Sequence, residues 1–459
     1  MRTRLTTPGW ESALIALAVA ARLLAVVVLQ SHHVPNSTYE HGTIAENLLN
    51  GRGFSIEFLG ADGPTSQQAP IYPFLVAAAY VLGGVATPRS LLLLLMAQAI
   101  LGGLLTWGSM RLCRKLLPGS RQASLITGLI VAIHPTLVYA ATHVQVAGLA
   151  ATLLVWVLVF AVQTGQNPTP GNAIGLGALF ATMVLTDPIL GLAAPALAWL
   201  IIRESKGWQS SLRAAALAGA VATCLVLPWI ARNAAVHGRF VPVKSSFGYA
   251  FWQGNCNLSA GTDKVVRDSV TSVLQDRLAE NPATLAGYNS ALWAARHEAG
   301  YIDDIALTPA DKRMLSQLPE PDRSRVLFTR ALEELKTQPG RYTQLCLARL
   351  RAFLLFDETN PKTRSLLYRA SHLGLTGLAL LGWLMVGHDN RRRLAPTLLI
   401  FALLTLFHTL TIVSARFHIP IEPLLALWAG AGVAAVTGGW HSRIPNANRQ
   451  RANTGPVTV

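Results

Sequence analysis

One carboxylate, Glu40, occupies the position in this sequence best suited to a general base. It follows the first apolar stretch and precedes Thr43 and Glu46, whose spacing is that of a capping box. This spacing predicts a short helix over residues 44–50, ended by Gly51, with Glu40 immediately ahead of it. Such a helix can lie flat on the membrane surface, where partial desolvation makes a carboxylate a stronger base. Most loop carboxylates are simply exposed, and the spacing alone does not exclude that interpretation.

Three basic residues and one histidine are candidates for contact with an anionic group. Arg232 ends an apolar stretch, Lys244 follows it in the chain, and Arg416 shares a short turn with His418. Positive charge would stabilise the negative charge that grows on a departing phosphate, and Arg binds phosphate through two parallel hydrogen bonds. An alternative remains for each: Arg232 could extend along the membrane interface, Lys244 could be a solvated lysine, and His418 could be a neutral hydrogen-bonding residue.

Five other polar residues lie beside apolar stretches and are further candidates for the same site. They are Tyr39, His41, His143, Gln145 and Asp187. Asp187 precedes a proline in a tight turn, where an aspartate commonly caps the next helix by accepting hydrogen bonds from its free N–H groups. A structural role is therefore the simpler interpretation of Asp187.

The composition is that of a membrane protein. Of the 459 residues, 51% are hydrophobic and 13% are charged, and the mean hydropathy is +0.39, whereas soluble proteins have about 25% charged residues. The net charge is +15, but the basic residues lie in short runs between apolar stretches. The positive-inside rule explains this pattern better than a nucleic-acid partner does. The four cysteines are too few and too scattered for a disulfide framework.

Ten apolar stretches are candidates to span a bilayer, which needs roughly 20 apolar residues per helix. They cover residues 12–30, 90–110, 123–140, 145–163, 172–186, 188–202, 214–231, 365–386, 395–413 and 421–438. An eleventh stretch, residues 69–87, is ambiguous. If it crosses only part of the membrane, the basic runs collect on the side of both termini, which the positive-inside rule assigns to the cytoplasm. We therefore expect an all-α integral membrane protein with about ten spans and one re-entrant or half-spanning helix.

This orientation divides the chain into four parts. Residues 1–231 form an N-terminal transmembrane module whose first outer loop is residues 31–68. Residues 232–363 form a soluble extracytoplasmic segment, predicted to be helical because apolar side chains recur every three or four positions. Residues 364–440 hold the C-terminal spans, and residues 441–459 are a basic tail predicted to be disordered and cytoplasmic. The sequence has no Gly-rich phosphate loop and no His-Glu-x-x-His motif, so a soluble nucleotide-using enzyme is unsupported.

Four groups of residues, spread from end to end of the chain, resemble landmarks of one family of membrane enzymes. They are Tyr39-Glu40-x-x-x-Ile44-Ala45 with Gly51, Gly53 and Phe54, followed by Ala69-Pro70-x-Tyr72-Pro73; Leu185-Thr186-Asp187-Pro188; Pro228-Trp229-x-x-Arg232-Asn233 with Gly238, Gly248, Gly254 and Asn255; and Ala415-Arg416-Phe417-x-x-Pro420. The chain is similar to the GT-C superfamily of membrane glycosyltransferases. Within it, the chain resembles bacterial relatives of the protein O-mannosyltransferases and aminoarabinose transferases, a glycosyltransferase family 39-like group.

The resemblance implies a GT-C-type helical bundle and a specific kind of reaction. A sugar would pass with inversion from a polyprenyl-phosphate carrier to a lipid, glycan or protein acceptor, at the outer face of the cytoplasmic membrane. Glu40 would be the base, at a position where many relatives carry Asp. The alternative is a non-catalytic binder of lipid-linked sugars or a transporter-like component of envelope glycan assembly. The large one-sided polar segment and the lack of two equivalent halves with broken spans argue against transport.

One departure from the family concerns a divalent metal. Relatives commonly carry a second acid, in the early first loop or in the turn before the fourth span, which in several of them helps to hold the metal. This chain has His143-Val144-Gln145 in that turn and Gln67-Gln68 in the loop. Neither supplies the carboxylates that a hard cation prefers, so the metal stays unassigned and an altered or lost activity is compatible with the sequence.

Overall fold

The computed structural model describes residues 9–34, 37–205, 207–265, 269–280 and 283–438. Within these ranges the chain forms twenty α-helices, four short 3-10 helices and one two-stranded antiparallel sheet. The tail predicted to be cytoplasmic, residues 441–459, lies outside the described residues.

The helices are numbered in chain order. They are α1 Gly9–Leu29, α2 Tyr39–Leu49, α3 Ile71–Gly83, α4 Pro88–Leu116, α5 Arg121–Ile133, α6 Pro135–Ala140, α7 Ala147–Gln166, α8 Pro170–Val184, α9 Ala194–Glu204, α10 Trp208–His237, α11 Phe247–Asn255, α12 Ser269–Glu280, α13 Leu285–Glu298, α14 Ile302–Ala306, α15 Pro309–Ser316, α16 Glu320–Thr337, α17 Pro339–Leu354, α18 Leu366–Met385, α19 His388–Leu410 and α20 Glu422–Val436. The strands are β1 Ser55–Phe58 and β2 Ala61–Pro64, paired from Ser55 opposite Pro64 to Phe58 opposite Ala61. The 3-10 helices are Ser31–His33, Pro188–Ala193, Pro361–Arg364 and Ile419–Ile421.

Six described helical segments are long and apolar enough to cross a membrane, which fits the predicted all-α membrane protein. They are α1, α4, α7, α10, α19 and the segment Ile419–Val436 that contains α20. The prediction of about ten spans also counted shorter apolar stretches, some of which form helices of 13 or 15 residues. The predicted span 123–140 breaks into α5 and α6, because Pro135 has no N–H to continue the helix and restricts the residue before it. The predicted span 188–202 begins as a 3-10 helix, and α9 has only 11 residues.

The ambiguous stretch 69–87 forms α3, a helix of 13 residues. At 1.5 Å per residue it is about 20 Å long. The apolar core of a bilayer is about 30 Å thick. The length of α3 therefore agrees with a half-spanning helix.

Two helices, α7 and α20, lie at the centre of the apolar bundle, and most of their side chains are buried. Helix α20 packs against α5 and α18. Gly382 of α18 and Gly432 of α20 meet backbone to backbone, where a Cβ on either residue would collide with the other helix. In a bilayer, where apolar surface gains little by leaving lipid, such close contact between small residues contributes strongly to helix association.

The first loop, residues 31–68, folds into a 3-10 helix, α2 and the β1–β2 hairpin. Helix α2 begins at Tyr39, earlier than predicted, so Glu40 lies in its first turn rather than ahead of it. The Thr43 and Glu46 pair therefore does not cap this helix. Gly42 permits the early start, because a side chain there would collide with Thr38.

The polar segment, residues 232–363, packs around an apolar core formed mainly by α11 and α16. It is also hydrogen-bonded to the first loop. Glu320, at the start of α16, accepts hydrogen bonds from the backbone N–H of Ser66 at 2.7 Å and from the hydroxyl of Ser245 at 2.5 Å. Arg323, one turn later, donates to the carbonyl of Phe58 in β1. The first loop thus has a fixed position relative to the polar segment.

Candidate active site

Charged and phenolic side chains from three parts of the chain act on one another around Arg416. Glu40 and Tyr39 come from α2, Asp263 and Tyr301 from the polar segment, and Arg416 from the turn before α20. Burial by itself lowers the pKa of Arg416. The charges of Asp263 and Glu40, with the phenols of Tyr301 and Tyr39, outweigh this effect and raise the pKa above its ordinary value. Arg416 is therefore a permanent cation beside two carboxylates.

Glu40 lies in the first turn of α2. The free N–H groups of the first helical turn carry partial positive charge, which stabilises a carboxylate there. Tyr39, the residue before it, has a left-handed backbone with φ of 49°, a conformation that is rare for an aromatic residue and that concentrates at functional sites.

The polar segment positions the turn that carries Arg416. The N–H of Val413 donates to the carbonyl of Gly261 at 3.2 Å, and the N–H of Ala415 donates to Asp357 at 3.1 Å. Lys362 donates to the carbonyl of Ala415 at 3.2 Å. The side chain of Arg416 is nevertheless exposed, although protein surrounds it. The side chain therefore reaches solvent although protein lies around it, and we call this surrounding region the cleft.

Four further cations surround the same cleft. They are Lys244, Lys264, Arg296 and Lys362, all of which interact electrostatically with Arg416 or with one another. Burial lowers the pKa of Lys264 to about 8 and that of Lys362 to about 8. The like charge of Arg296 also lowers both, against the opposing effect of nearby carboxylates. Lys264 donates to the carbonyl of Arg296 at 3.0 Å and lies over the ring of Tyr301.

Asp187 caps a helix, as predicted, and also interacts electrostatically with Lys244 and Arg416. Its carboxylate accepts a hydrogen bond from the N–H of Ile189 at 3.2 Å, so it caps the 3-10 helix as expected. Burial raises the pKa of Asp187, whereas the cations Lys244 and Arg416 oppose that rise. Lys244 in turn donates to the side chain of Gln68 at 3.1 Å.

The other three weaker candidates, His41, His143 and Gln145, are buried polar residues. His41 is buried edge-on against Tyr72, and burial, with the charges of Lys244 and Arg416, lowers its pKa to about 3. His143 is buried and its Nδ1 lies 3.1 Å from the carbonyl of Tyr139. Gln145 donates to the carbonyl of Ala140 at 3.1 Å.

Two predicted site residues, Arg232 and His418, have other partners. Arg232 donates to the carbonyls of Phe54 at 3.0 Å and Thr65 at 2.6 Å, at either end of the hairpin. The ring of His418 is buried and lies 3.0 Å from the carboxylate of Glu422, on the next turn of the chain. Neither side chain joins the group around Arg416. Their assignment to substrate binding remains a sequence prediction that the observed contacts do not support.

Arg232→Ala should destabilise the protein by removing the link between α10 and the first loop. Loss of its bonds to buried carbonyls costs about 2 kcal/mol, the usual range for hydrogen bonds from a charged donor. The thermal unfolding midpoint in detergent measures the effect. Arg239→Ala is the matched control, because Arg239 follows the same helix but only forms an exposed ion pair with Asp322 at 2.9 Å. Equal midpoints for the two variants would contradict the assigned role.

Sequence analysis missed the contributions of the polar segment to the cleft. Asp263, Lys264, Arg296, Asp357 and Lys362 belong to no recognised motif and lie far from Glu40 and Arg416 in the chain. The one local signal is the Gly261-Thr-Asp-Lys run, in which Gly261 takes φ of 98°. That glycine allows the chain to turn beside the Arg416 turn, which brings Asp263 to it.

Within the described part of the chain, Glu40 belongs to no group of ligands spaced to hold a divalent metal. Among the residues that the structure describes, the one group of His, Cys, Asp and Glu ligands close enough to hold an ion is His372, His418 and Glu422. It does not include Glu40, whose charge instead acts on cations such as Arg416 and Lys244. We therefore assign no step of the chemistry at Glu40 to a metal.

No protein-family model matches the sequence, and no curated protein is significantly similar to it. Solved structures do match. The archaeal oligosaccharyltransferase AglB from Archaeoglobus fulgidus, in complex with an inhibitory peptide and a dolichol-phosphate, covers 98% of this chain with a TM-score of 0.53 at 13% identity. The oligosaccharyltransferase of the same organism in the apo form covers 94% with a TM-score of 0.51 at 14% identity. This chain has the GT-C fold.

The GT-C fold implied by the sequence resemblance is therefore confirmed. ArnT from Cupriavidus metallidurans bound to undecaprenyl phosphate also matches, over 95% of this chain and 79% of that chain, with 18% identity and a TM-score of 0.41. The present chain spans about half the length of the archaeal enzyme, 53% and 51% in the two structures.

Proposed function

We propose that this chain is an inverting glycosyltransferase that takes a sugar from a polyprenyl-phosphate carrier at the outer face of the cytoplasmic membrane. The observation that carries the proposal is the group formed by Glu40, Arg416 and Lys244. A carboxylate in the first turn of α2 interacts electrostatically with a cation from the polar segment and with one from the turn before α20. The archaeal oligosaccharyltransferase with the same fold was solved with dolichol-phosphate, a carrier of this chemical class.

Each residue has a role that follows from its charge. Glu40 takes the proton of the acceptor hydroxyl while that oxygen bonds to the anomeric carbon of the sugar. The bond between the anomeric carbon and the phosphate oxygen breaks, and its electron pair stays on the departing polyprenyl phosphate. Arg416 and Lys244 stabilise that growing negative charge. A single displacement of this kind inverts the anomeric centre.

The cleft is suited to an anionic donor and not to a neutral one. Arg416 stays charged at all physiological pH values. Four other cations lie close enough to influence it or one another. Carboxylates balance part of this charge, and the remaining positive potential is available to a phosphate. The outer-face location rests on the positive-inside assignment of the basic runs.

The direct test uses purified protein in lipid nanodiscs with a panel of polyprenyl-phosphate sugars. Release of free polyprenyl phosphate is followed by mass spectrometry, with and without candidate acceptors. We expect release from at least one donor. Binding of a donor without release would instead favour the alternative, a non-catalytic binder of lipid-linked sugars, to which the uncharged His143-Val144-Gln145 turn already points.

Donor binding should weaken as the pH rises through about 8. Burial lowers the pKa of Lys264 and of Lys362 to about 8, so both are cationic below that pH and neutral above it. A donor phosphodiester keeps its charge over this range. Loss of one charged contact should therefore reduce affinity about tenfold. The Kd measured by binding in nanodiscs between pH 6.5 and about 9.5 checks this.

The double variant Lys264→Arg with Lys362→Arg is the control for this pH effect. Arginine does not titrate in this range, so its binding curve should be flat. A wild-type affinity that stays constant to high pH would show that neither lysine contributes its charge to donor binding.

A further inference from the structure

A second polar group lies next to the Arg416 turn, buried among α6, α18 and α20. Its members are His134, Tyr368, His372, His418 and Glu422, and none of them exposes more than 8% of its surface. Glu422 is fully buried. A carboxylate in such a place must have a positively charged partner, since the cost of burying an isolated charge is several kcal/mol or more. Among the described residues its nearest basic groups are the imidazoles of His134 and His418, at 3.3 Å and 3.0 Å from its two oxygens, and Lys362 acts on it electrostatically.

We propose that His372, His418 and Glu422 bind a first-row divalent transition metal, with zinc the best fit. One ligand atom from each residue lies within 4.8 Å of the other two. A tetrahedral zinc ion holds its ligand atoms about 3.3 Å apart, so small side-chain rotations close the shell. Two imidazoles and one carboxylate are a common ligand set for zinc, and they leave a fourth position open.

The hydrogen bonds of His372 direct one nitrogen toward the ion. Its Nε2 lies 3.0 Å from the backbone carbonyl of Leu354. A carbonyl only accepts, so Nε2 carries the proton and Nδ1 presents its lone pair. That Nδ1 is buried without a hydrogen-bond partner. A buried, unpaired lone pair beside a carboxylate is explained by a bound cation.

Neighbouring groups also orient the other two ligands, His418 and Glu422. His418 has Nε2 3.0 Å from the hydroxyl of Tyr368 and Nδ1 3.0 Å from one oxygen of Glu422. The second oxygen of Glu422 lies 3.3 Å from Nδ1 of His134, whose Nε2 in turn faces the carbonyl of Ser371 at 3.3 Å. Hydrogen bonds from outer groups that fix ligand orientation are typical of metal sites. His134 is thus a positioning residue that holds Glu422.

The metal would join three elements of the chain. His372 belongs to α18, Glu422 to α20, and His418 to the turn that also carries Arg416. Only one residue separates Arg416 from His418, so a metal bound there fixes the turn to the transmembrane bundle. The inferred role is structural: the ion sets the position of Arg416 and does not touch the substrate.

The test is the metal content of the full-length chain purified without chelator or affinity metal. Inductively coupled plasma mass spectrometry should find about one zinc per chain. His372→Ala and Glu422→Gln should lose it, and His134→Asn should weaken metal affinity by about 10- to 100-fold. The matched control is His408→Asn, because His408 is equally buried but lies outside the group. It should keep the metal.

A spectroscopic measurement on the wild type covers the case in which a variant does not fold. After removal of zinc, added Co²⁺ should give visible absorption bands of a four-coordinate ion, which zinc then displaces. Wild-type protein that contains no metal and gives no such bands would overturn the proposal. Metal that persists equally in His372→Ala and Glu422→Gln would also overturn it, because the ion would then lie elsewhere.

Discussion

Glu40→Gln should lower the rate of polyprenyl phosphate release by about 10²- to 10⁴-fold, the usual contribution of a general base. Glutamine has the same size and can still fill the position in the first turn of α2. It cannot accept the acceptor's proton. The measurement is kcat/KM for donor turnover in nanodiscs, with the thermal unfolding midpoint measured on the same samples. The midpoint should change little, because Glu40 is only partly buried.

The control for this variant lies on the same helix. Glu46→Gln changes an equally charged and partly buried residue of α2 whose charge acts on Tyr80, outside the cleft. Its turnover should match the wild type. Donor affinity should persist in Glu40→Gln, because the phosphate contacts remain. Full turnover in Glu40→Gln would remove Glu40 from the mechanism while leaving the fold assignment intact.

The catalytic candidates near the ends of apolar stretches were within reach of sequence analysis. Glu40, Lys244, Asp187 and Arg416 each follow or interrupt such a stretch, and a charge beside a membrane boundary is informative because few residues there can be charged without a reason. The structure groups all four through their electrostatic interactions. Their mutual proximity still could not be deduced, since α2 and the last turn are far apart in the chain.

The contribution of the polar segment to the cleft could not be predicted from the sequence, for a different reason. Its residues Asp263 and Lys264 reach the cleft through backbone contacts with the Arg416 turn and with Tyr301. Such bridges leave no periodic pattern in the sequence. The start of α2 was predicted late because a capping-box spacing at Thr43 is a local signal. Close contact between Gly42 and Thr38 decided the actual start.

Two of the predicted site residues, Arg232 and His418, have partners in the structure that the sequence did not indicate. Arg232 resembles a phosphate ligand by type and place. Its guanidinium is instead occupied by the carbonyls of the first loop, a use that depends on the hairpin geometry. His418 faces Glu422 because four positions along the chain bring the two side chains to the same side. Residue type and position alone did not indicate these partners.

Arg416→Ala should lower donor turnover by about 10²- to 10³-fold, the cost of removing one preorganised group that stabilises developing charge. The reason lies in its surroundings. Arg416 is the cation on which Glu40 and Asp263 both act, and its exposed side chain faces the cleft. Removing it leaves the departing phosphate with the other four cations, of which Lys264 and Lys362 lose their charge as the pH rises.

Arg416→Lys separates charge from shape. Lysine retains the positive charge but not the paired donors of the guanidinium, so its turnover should lie between the wild type and Arg416→Ala. Kinetics at pH 7 and at about pH 9 measure both losses. The control is Arg313→Ala, an exposed arginine of α15 in the polar segment. If Arg416→Ala turned over donor as fast as this control, Arg416 would not contribute to stabilising the phosphate. Lys244 and its neighbours would then have to do so alone, and the donor would bind in a different orientation in the cleft.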